Sequence, residues 1–250
     1  AAAAETGRKA RILADLGGPK VRTAEVRAPE GRGRVFPGDE ILLTGGSFAS
    51  PDGYPYQAAC EPAAIPGRLR VGDPVFIDDG KLSGTVERRD EAGVVVRVLR
   101  AGPKGYRLKP EKGLNFPSTD LGLLALTEED RRSLDFIVGQ VDMVGYSFVQ
   151  SGADVRLLQE EFARRRPEDW TRIGLIAKIE TPVAVRNLPE IIVQAASRQP
   201  FGVMIARGDL AVEIGFERLA EMQEEILWLC EAAHVPVIWA TQVLESRSEE

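Results

Sequence analysis

Only one histidine, His234, and two cysteines, Cys60 and Cys230, occur in 250 residues. The cysteines form neither a CxxC nor a zinc-like spacing, which excludes a disulfide framework and a thiolate metal centre and points to a reducing compartment. His234 precedes a strand, and in an α/β barrel the loops that enter strands lie at the end opposite the chemistry. Proton transfer is therefore left to lysine, threonine, carboxylate or water. Long apolar runs are missing too: nothing approaches the roughly 18 apolar residues of a membrane span. The opening AAAAETGRKA lacks the charged start and apolar centre of a signal peptide, so a cytoplasmic protein with no membrane partner is expected. Basic residues are in deficit, 32 Lys and Arg against 38 Asp and Glu, leaving a formal net charge of −6. Such a chain has no general field for nucleic acid, and an anionic substrate must be met by local cations.

The stretch from Ile173 to Val212, IGLIAKIETPVAVRNLPEIIVQAASRQPFGVMIARGDLAV, contains two apolar runs that each break off at charge. One ends in Lys178 and Glu180, the other in Arg207 and Asp209. Between them Leu188, Ile191 and Ile192 recur at helical spacing, so the stretch reads as strand, helix, strand. Parallel strands buried on both faces are continuously apolar, and charge at their carboxyl ends marks a site outside the sheet. The pattern predicts a (β/α) barrel whose chemistry gathers at those ends. There Glu180 and Asp209 could hold one hard cation such as Mg²⁺ through oxygen, with Lys178 in the same mouth.

The same strand type is predicted at about residues 11–16, 143–149, 173–179, 203–208 and 237–241, five where a closed barrel needs about eight. The chain is thus expected to be a fragment or to complete its sheet with a partner. From 24 to 115 the texture changes: helical periodicity gives way to short alternating runs separated by turns such as TGGS, SPDGYP and AGPKG. This predicts a small β-barrel domain inserted into a barrel domain made of 1–23 and 116–250. Asp78-Asp79-Gly80 falls at a hairpin tip, which gains interest if the insert closes over the site as a lid. Thr127 with Asp130 three residues later predicts a capping box.

Several motifs, in order, resemble those of pyruvate kinase. They are Ile77 to Gly80, Lys112-Gly113-Leu114-Asn115-Phe116-Pro117, Tyr146 to Val149, Lys178-Ile179-Glu180, Ala206-Arg207-Gly208-Asp209-Leu210 and Ala240 to Ser246. The resemblance implies phosphoryl transfer between phosphoenolpyruvate and ADP, giving pyruvate and ATP. It implies Mg²⁺ or Mn²⁺ on Glu180 and Asp209, and Lys178 facing the phosphoryl group with Arg22 assisting. Gly208, Asp209, Thr241 and Ser147 would surround the substrate, Thr241 near the carbon that gains a proton. Asp79 and Lys112 would serve the lid and nucleotide, and the full-length protein would be a homo-oligomer.

Departures from the family pattern are Leu16 for threonine, Gly17 for lysine, Gln150 for arginine, Ala211 for glycine and Val243 for methionine. In the monovalent-cation region around Asp15, Lys20 replaces the usual glutamate, and relatives with lysine there work without K⁺. A fixed ammonium can supply the unit charge of the ion. The KIET and ARGD stretches also resemble the metal-dependent aldolases of the HpcH/HpaI and citrate lyase group, which act on pyruvate enolate but lack a β insert. A degenerate, non-catalytic metabolite sensor is the third reading.

Overall fold

The computed structural model describes residues 7, 10–31, 33–46, 48–49 and 53–240. They form two compact units, one from the chain up to Pro19 and from Leu123 onward, the other from Lys20–Gly122. The joins read from the sequence, after residue 23 and before residue 116, lie inside the second unit. The reason is pairing: the Leu114 N–H donates to Val21 O at 2.9 Å and the Thr119 hydroxyl to Asp73 at 2.7 Å.

Strand β1 (Leu13–Asp15) belongs to the first unit. The second unit then runs β2 (Arg22–Arg27), β3 (Glu40–Thr44), β4 (Tyr56–Glu61), a helical turn α1 (Ile65–Arg68), β5 (Pro74–Ile77), β6 (Leu82–Asp90), β7 (Gly93–Arg100) and β8 (Leu114–Asn115). The first unit resumes with α2 (Glu128–Ile137), β9 (Met143–Tyr146), α3 (Gly152–Arg165) and β10 (Gly174–Ile179). It continues through α4 (Pro182–Arg186), α5 (Leu188–Ala196), β11 (Phe201–Ala206), α6 (Arg207–Ile214), α7 (Leu219–Ala232) and β12 (Val237–Ala240).

The five strands of the first unit form one wholly parallel sheet in the order β1-β9-β10-β11-β12. Helices separate every consecutive pair from β9 onward, as crossover connections between parallel strands require. Strand side chains alternate faces. Val144, Tyr146, Leu175, Ala177, Ile179, Val203 and Ile205 pack against Leu134, Leu158, Phe162, Ile191 and Ile226 of the helices in one buried cluster. The intervening residues, Gly145, Ile176, Lys178 and Met204, take the other face. On that face the register sets Asp15 beside Gly145 and Gly145 beside Ile176. The second unit is a seven-stranded mixed sheet, β2-β4-β3-β7-β6-β5-β8, antiparallel except for the β3–β4 pair.

Two expected strands end early. The one predicted at 143–149 stops at Tyr146, and the backbone turns left-handed two residues on, at Phe148. The strand predicted at 203–208 stops at Ala206, and Arg207-Gly208-Asp209 instead form the first turn of α6. A carboxylate in a first turn is favoured by the helix dipole, which the apolar run preceding it did not disclose.

The capping box at the start of α2 is present in full, Thr127 accepting from the Asp130 N–H and the Asp130 carboxylate from the Thr127 N–H. Asp130 is 3% exposed and uses its other oxygen, Oδ1, to accept the N–H groups of Gly17 at 2.9 Å and Gly18 at 3.4 Å. One carboxylate thus caps a helix and holds the turn that follows β1. Removing it leaves the Thr127 cap itself in place but strands the Thr127, Gly17 and Gly18 N–H donors, at about 1–3 kcal/mol for each buried donor left unpaired. Asp130→Ala is expected to destabilise the protein by about 3 kcal/mol and Asp130→Asn by less, as urea unfolding will measure; equal midpoints for all three proteins would refute the double role.

Candidate active site

Lys178 is the centre of a polar cluster at the carboxyl ends of β1, β9 and β10. Its ammonium donates to Ser147 Oγ at 2.9 Å and forms ion pairs with Asp15 at 3.2 Å and Glu180 at 3.5 Å. Ser147, itself buried, donates to Leu16 O at 2.7 Å, so a hydroxyl anchored on the β1 end orients the lysine from below. Gly145 is what allows Asp15 to take part: a Cβ there would collide with the Asp15 carboxylate. An isolated glycine in a strand marks such an approach.

Glu180 is 2% exposed. One oxygen, Oε2, accepts the Phe148 N–H at 2.7 Å and the other faces Lys178. Burial pushes its pKa up to about 7; Lys178 and the Phe148 N–H oppose the rise, while the nearby Asp209 carboxylate adds to it. For Lys178, burial works against the charge, but Glu180 and Asp15 outweigh it and the pKa is raised, so the lysine stays cationic. Asp209 stands in the first turn of α6 with Gly208. Helix N-termini of this kind receive anions.

The first unit thus brings together Asp15, Ser147, Lys178 and Glu180, with Asp209 close enough to act on Glu180 electrostatically. Thr241 lies outside the described residues. Lys20, Arg22, Asp79 and Lys112 belong to the second unit. There Arg22 makes one long bond, 3.5 Å, to Glu111 O. Asp78, Asp79 and Gly80 all adopt left-handed backbone at the β5–β6 turn. It is Asp78, rather than the exposed Asp79, that engages Lys112 at 3.1 Å, Lys81 at 3.3 Å and the Tyr106 hydroxyl at 3.2 Å. Lys112 and Lys81 pull the Asp78 pKa down against its partial burial. Gly145 is not singled out from the sequence, where a glycine inside a strand is its signal; Phe148 is read there only within the Tyr146 to Val149 motif and Gly18 only as part of the Gly17-Gly18-Pro19 turn.

Among the described residues no group of three or more His, Cys, Asp or Glu side chains is placed to hold a metal ion. The pair Glu180 and Asp209 nevertheless suits one. Two repelling carboxylates, one of them buried with its pKa pushed up, offer the oxygen donors and the uncompensated negative charge that a hard divalent cation suits.

The family described as "Pyruvate kinase, barrel domain" matches residues 1–250. Pyruvate kinase of Encephalitozoon cuniculi is 37% identical over 245 residues, covering 96% of the chain and 50% of the relative. Pyruvate kinase of Mycobacterium tuberculosis is 34% identical over 245 residues, covering 98% and 48%. A solved pyruvate kinase structure from Cryptosporidium parvum superposes with a TM-score of 0.81 at 28% identity, covering 98% of this chain and 48% of that one. The chain spans about half the length of the curated relatives it matches.

The buried carboxylate makes stability depend on pH. Because the folded-state pKa of Glu180 is raised, its protonated form favours folding. That contribution is complete below the ordinary value of 4.5 and is lost as pH rises through about 7. The difference corresponds to about 3 kcal/mol. Metal-free protein should lose that stability between these pH values while Glu180→Gln does not, as urea unfolding across the range will show; parallel curves would exclude the assignment.

Proposed function

Since this chain belongs to the pyruvate kinase family, we propose that the whole protein moves a phosphoryl group from phosphoenolpyruvate to ADP, yielding pyruvate and ATP. The observation that carries the proposal is Lys178, a partly buried cation held on Asp15, Ser147 and Glu180 at the carboxyl ends of parallel strands. In the reaction the bond from phosphorus to the enol oxygen breaks and one to the terminal oxygen of ADP forms. The enolate left behind takes a proton on its methylene carbon.

A phosphoryl group in flight carries its charge on equatorial oxygens, and catalysis consists mostly of positioning and opposing charge. Lys178 offers that charge from a fixed position, which requires no reorganisation during the reaction. The leading amides of α6, at Gly208 and Asp209, receive the substrate carboxylate. Glu180 and Asp209 would hold Mg²⁺ or Mn²⁺, which when bound polarises substrate oxygens and neutralises developing charge. Arg22 assists at the phosphate, and Ser147 acts through Lys178 as well as beside the substrate. Asp79 and Lys112 act on the nucleotide from the second unit, which we read as the inserted β-barrel lid of an otherwise TIM-type (β/α) barrel. Thr241 is assigned to the protonated carbon by resemblance alone. The aldolase and sensor readings are not favoured, since the family match runs through the β unit, which the aldolases lack.

We further assign a cytoplasmic location and a homo-oligomeric full-length protein. No helix among the described residues is long and apolar enough to cross a membrane, which is compatible with that location. Lys20 stands for the monovalent cation, and K⁺ is not required.

In the full-length protein, Lys178→Met is expected to lower turnover by at least about a thousandfold, a loss of about 4 kcal/mol of transition-state stabilisation. Mn²⁺ binding, followed by titration calorimetry, should persist. Retained turnover would remove Lys178 from the chemistry. The wild-type enzyme should run at full rate with tetramethylammonium in place of K⁺, and Lys20→Glu should create or deepen a K⁺ requirement; strong K⁺ dependence of the wild type would show the assignment of Lys20 to be wrong.

A further inference from the structure

Phe148 adopts a left-handed backbone, φ 55°, immediately after the β9 end. For a bulky aromatic residue this conformation is an outlier, and such strain, where it persists, is held by its surroundings. Two contacts hold it here. Its N–H donates to Glu180 Oε2 at 2.7 Å. Its ring lies on Gly18 so closely that a Cβ at Gly18 would sit 2.8 Å from Phe148 Cδ2, and 3.2 Å and 3.3 Å from the Cβ and O of Ser147. Gly18 is itself left-handed, φ 67°, and its N–H rests on the buried Asp130 carboxylate at 3.4 Å. The ring also borders a cavity of about 250 Å³ lined by Leu123, Ala125, Gln150, Asp154 and Asn187, so space to leave the glycine exists.

We infer that Phe148 is a positioning residue. Its ring, seated on Gly18, latches the backbone so that its N–H aims the Glu180 carboxylate at the divalent-cation site. Glu180 has two oxygens; with Oε1 directed at Lys178 and Oε2 at an amide, the head group cannot rotate. The amide that fixes it belongs to a residue whose backbone would relax to negative φ unless the ring were retained. Ring and amide therefore act together: moving one moves the other. Preorganising a ligand in this way lowers the cost of binding, which otherwise includes ordering the side chain at that moment. Asp130 extends the latch by fixing the glycine on which the ring rests.

The inference rests on the proposed metal role of Glu180, and its test separates the two. Mn²⁺ is titrated calorimetrically into full-length wild-type, Phe148→Gly, Phe148→Tyr, Gly18→Ala and Glu180→Gln proteins, with thermal unfolding measured alongside. Phe148→Gly relieves the backbone strain but removes the latch, so it should bind Mn²⁺ about tenfold more weakly without a matching fall in melting temperature. Gly18→Ala, which drives the ring toward the cavity, should show the same weakening. Phe148→Tyr, which keeps the ring, should stay within about twofold of wild type. A merely structural role would move the melting temperature and leave the dissociation constant alone. If Glu180→Gln loses binding while Phe148→Gly keeps it, the metal reading stands and the latch is overturned. If Glu180→Gln binds as wild type does, the metal reading fails and the latch falls with it.

Discussion

A partly buried ammonium in a protein is stable only where its lost hydration is replaced, and in this chain the replacement comes from three neighbouring strands at once. Asp15 arrives from β1, Ser147 from the end of β9 and Glu180 from the end of β10, while Lys178 itself projects from β10. Each partner is in place only because the sheet is parallel and in register. The pairing of Asp15 with Gly145, and of Gly145 with Ile176, sets the three carboxyl ends level, and the absence of a side chain at Gly145 leaves room for the first carboxylate.

The cost of that arrangement is carried by groups around it. Burial holds the Glu180 carboxyl above its ordinary pKa, the cation beside it does not fully compensate, and the Asp209 carboxylate adds to the rise. The site is therefore charged in a way that suits an arriving cation and an anionic substrate together. Support comes from a second tier: Asp130 ties the turn after β1 to the start of α2, and the Ser147 hydroxyl ties the lysine to Leu16. The helices behind the sheet are held by comparable devices. Buried Glu161 pairs with Arg131, Arg164 and Arg165, joining α2 to α3, and Gln194 donates to Gln159, Gln159 to Gln199 and Gln199 to Ile173 O, an amide chain that links α5 and α3 to the approach to β10.

The parallel strands and the helix periods were legible in the residues because burial on both faces leaves continuous apolar runs and helical packing leaves a 3.6-residue stripe. Lys178 and Glu180 were legible for the same reason, as charges interrupting such a run. The end of β11 was not. Whether Ala206 continues a strand or starts a helix depends on packing against the sheet, and nothing within ARGD itself decides it. Asp78 shows a similar limit: two adjacent aspartates read alike, and only the positions of Lys112, Lys81 and Tyr106 distinguish the engaged one.

Sequence by itself determined the α/β class, the run of five parallel strands, the β-rich segment between the first two, the negative charge, and the lysine and carboxylates that end apolar strands. Those are properties of local pattern, written in residue type and spacing. Tertiary structure decided which oxygen of Glu180 meets Phe148 and which meets Lys178, that Asp130 holds a glycine turn 112 and 113 residues away as well as its own helix, and that Gly18 is the floor under an aromatic ring. Contacts between segments so distant in the chain depend on strand register and backbone rotation, and a shift of one residue in register would turn every one of these side chains to the opposite face.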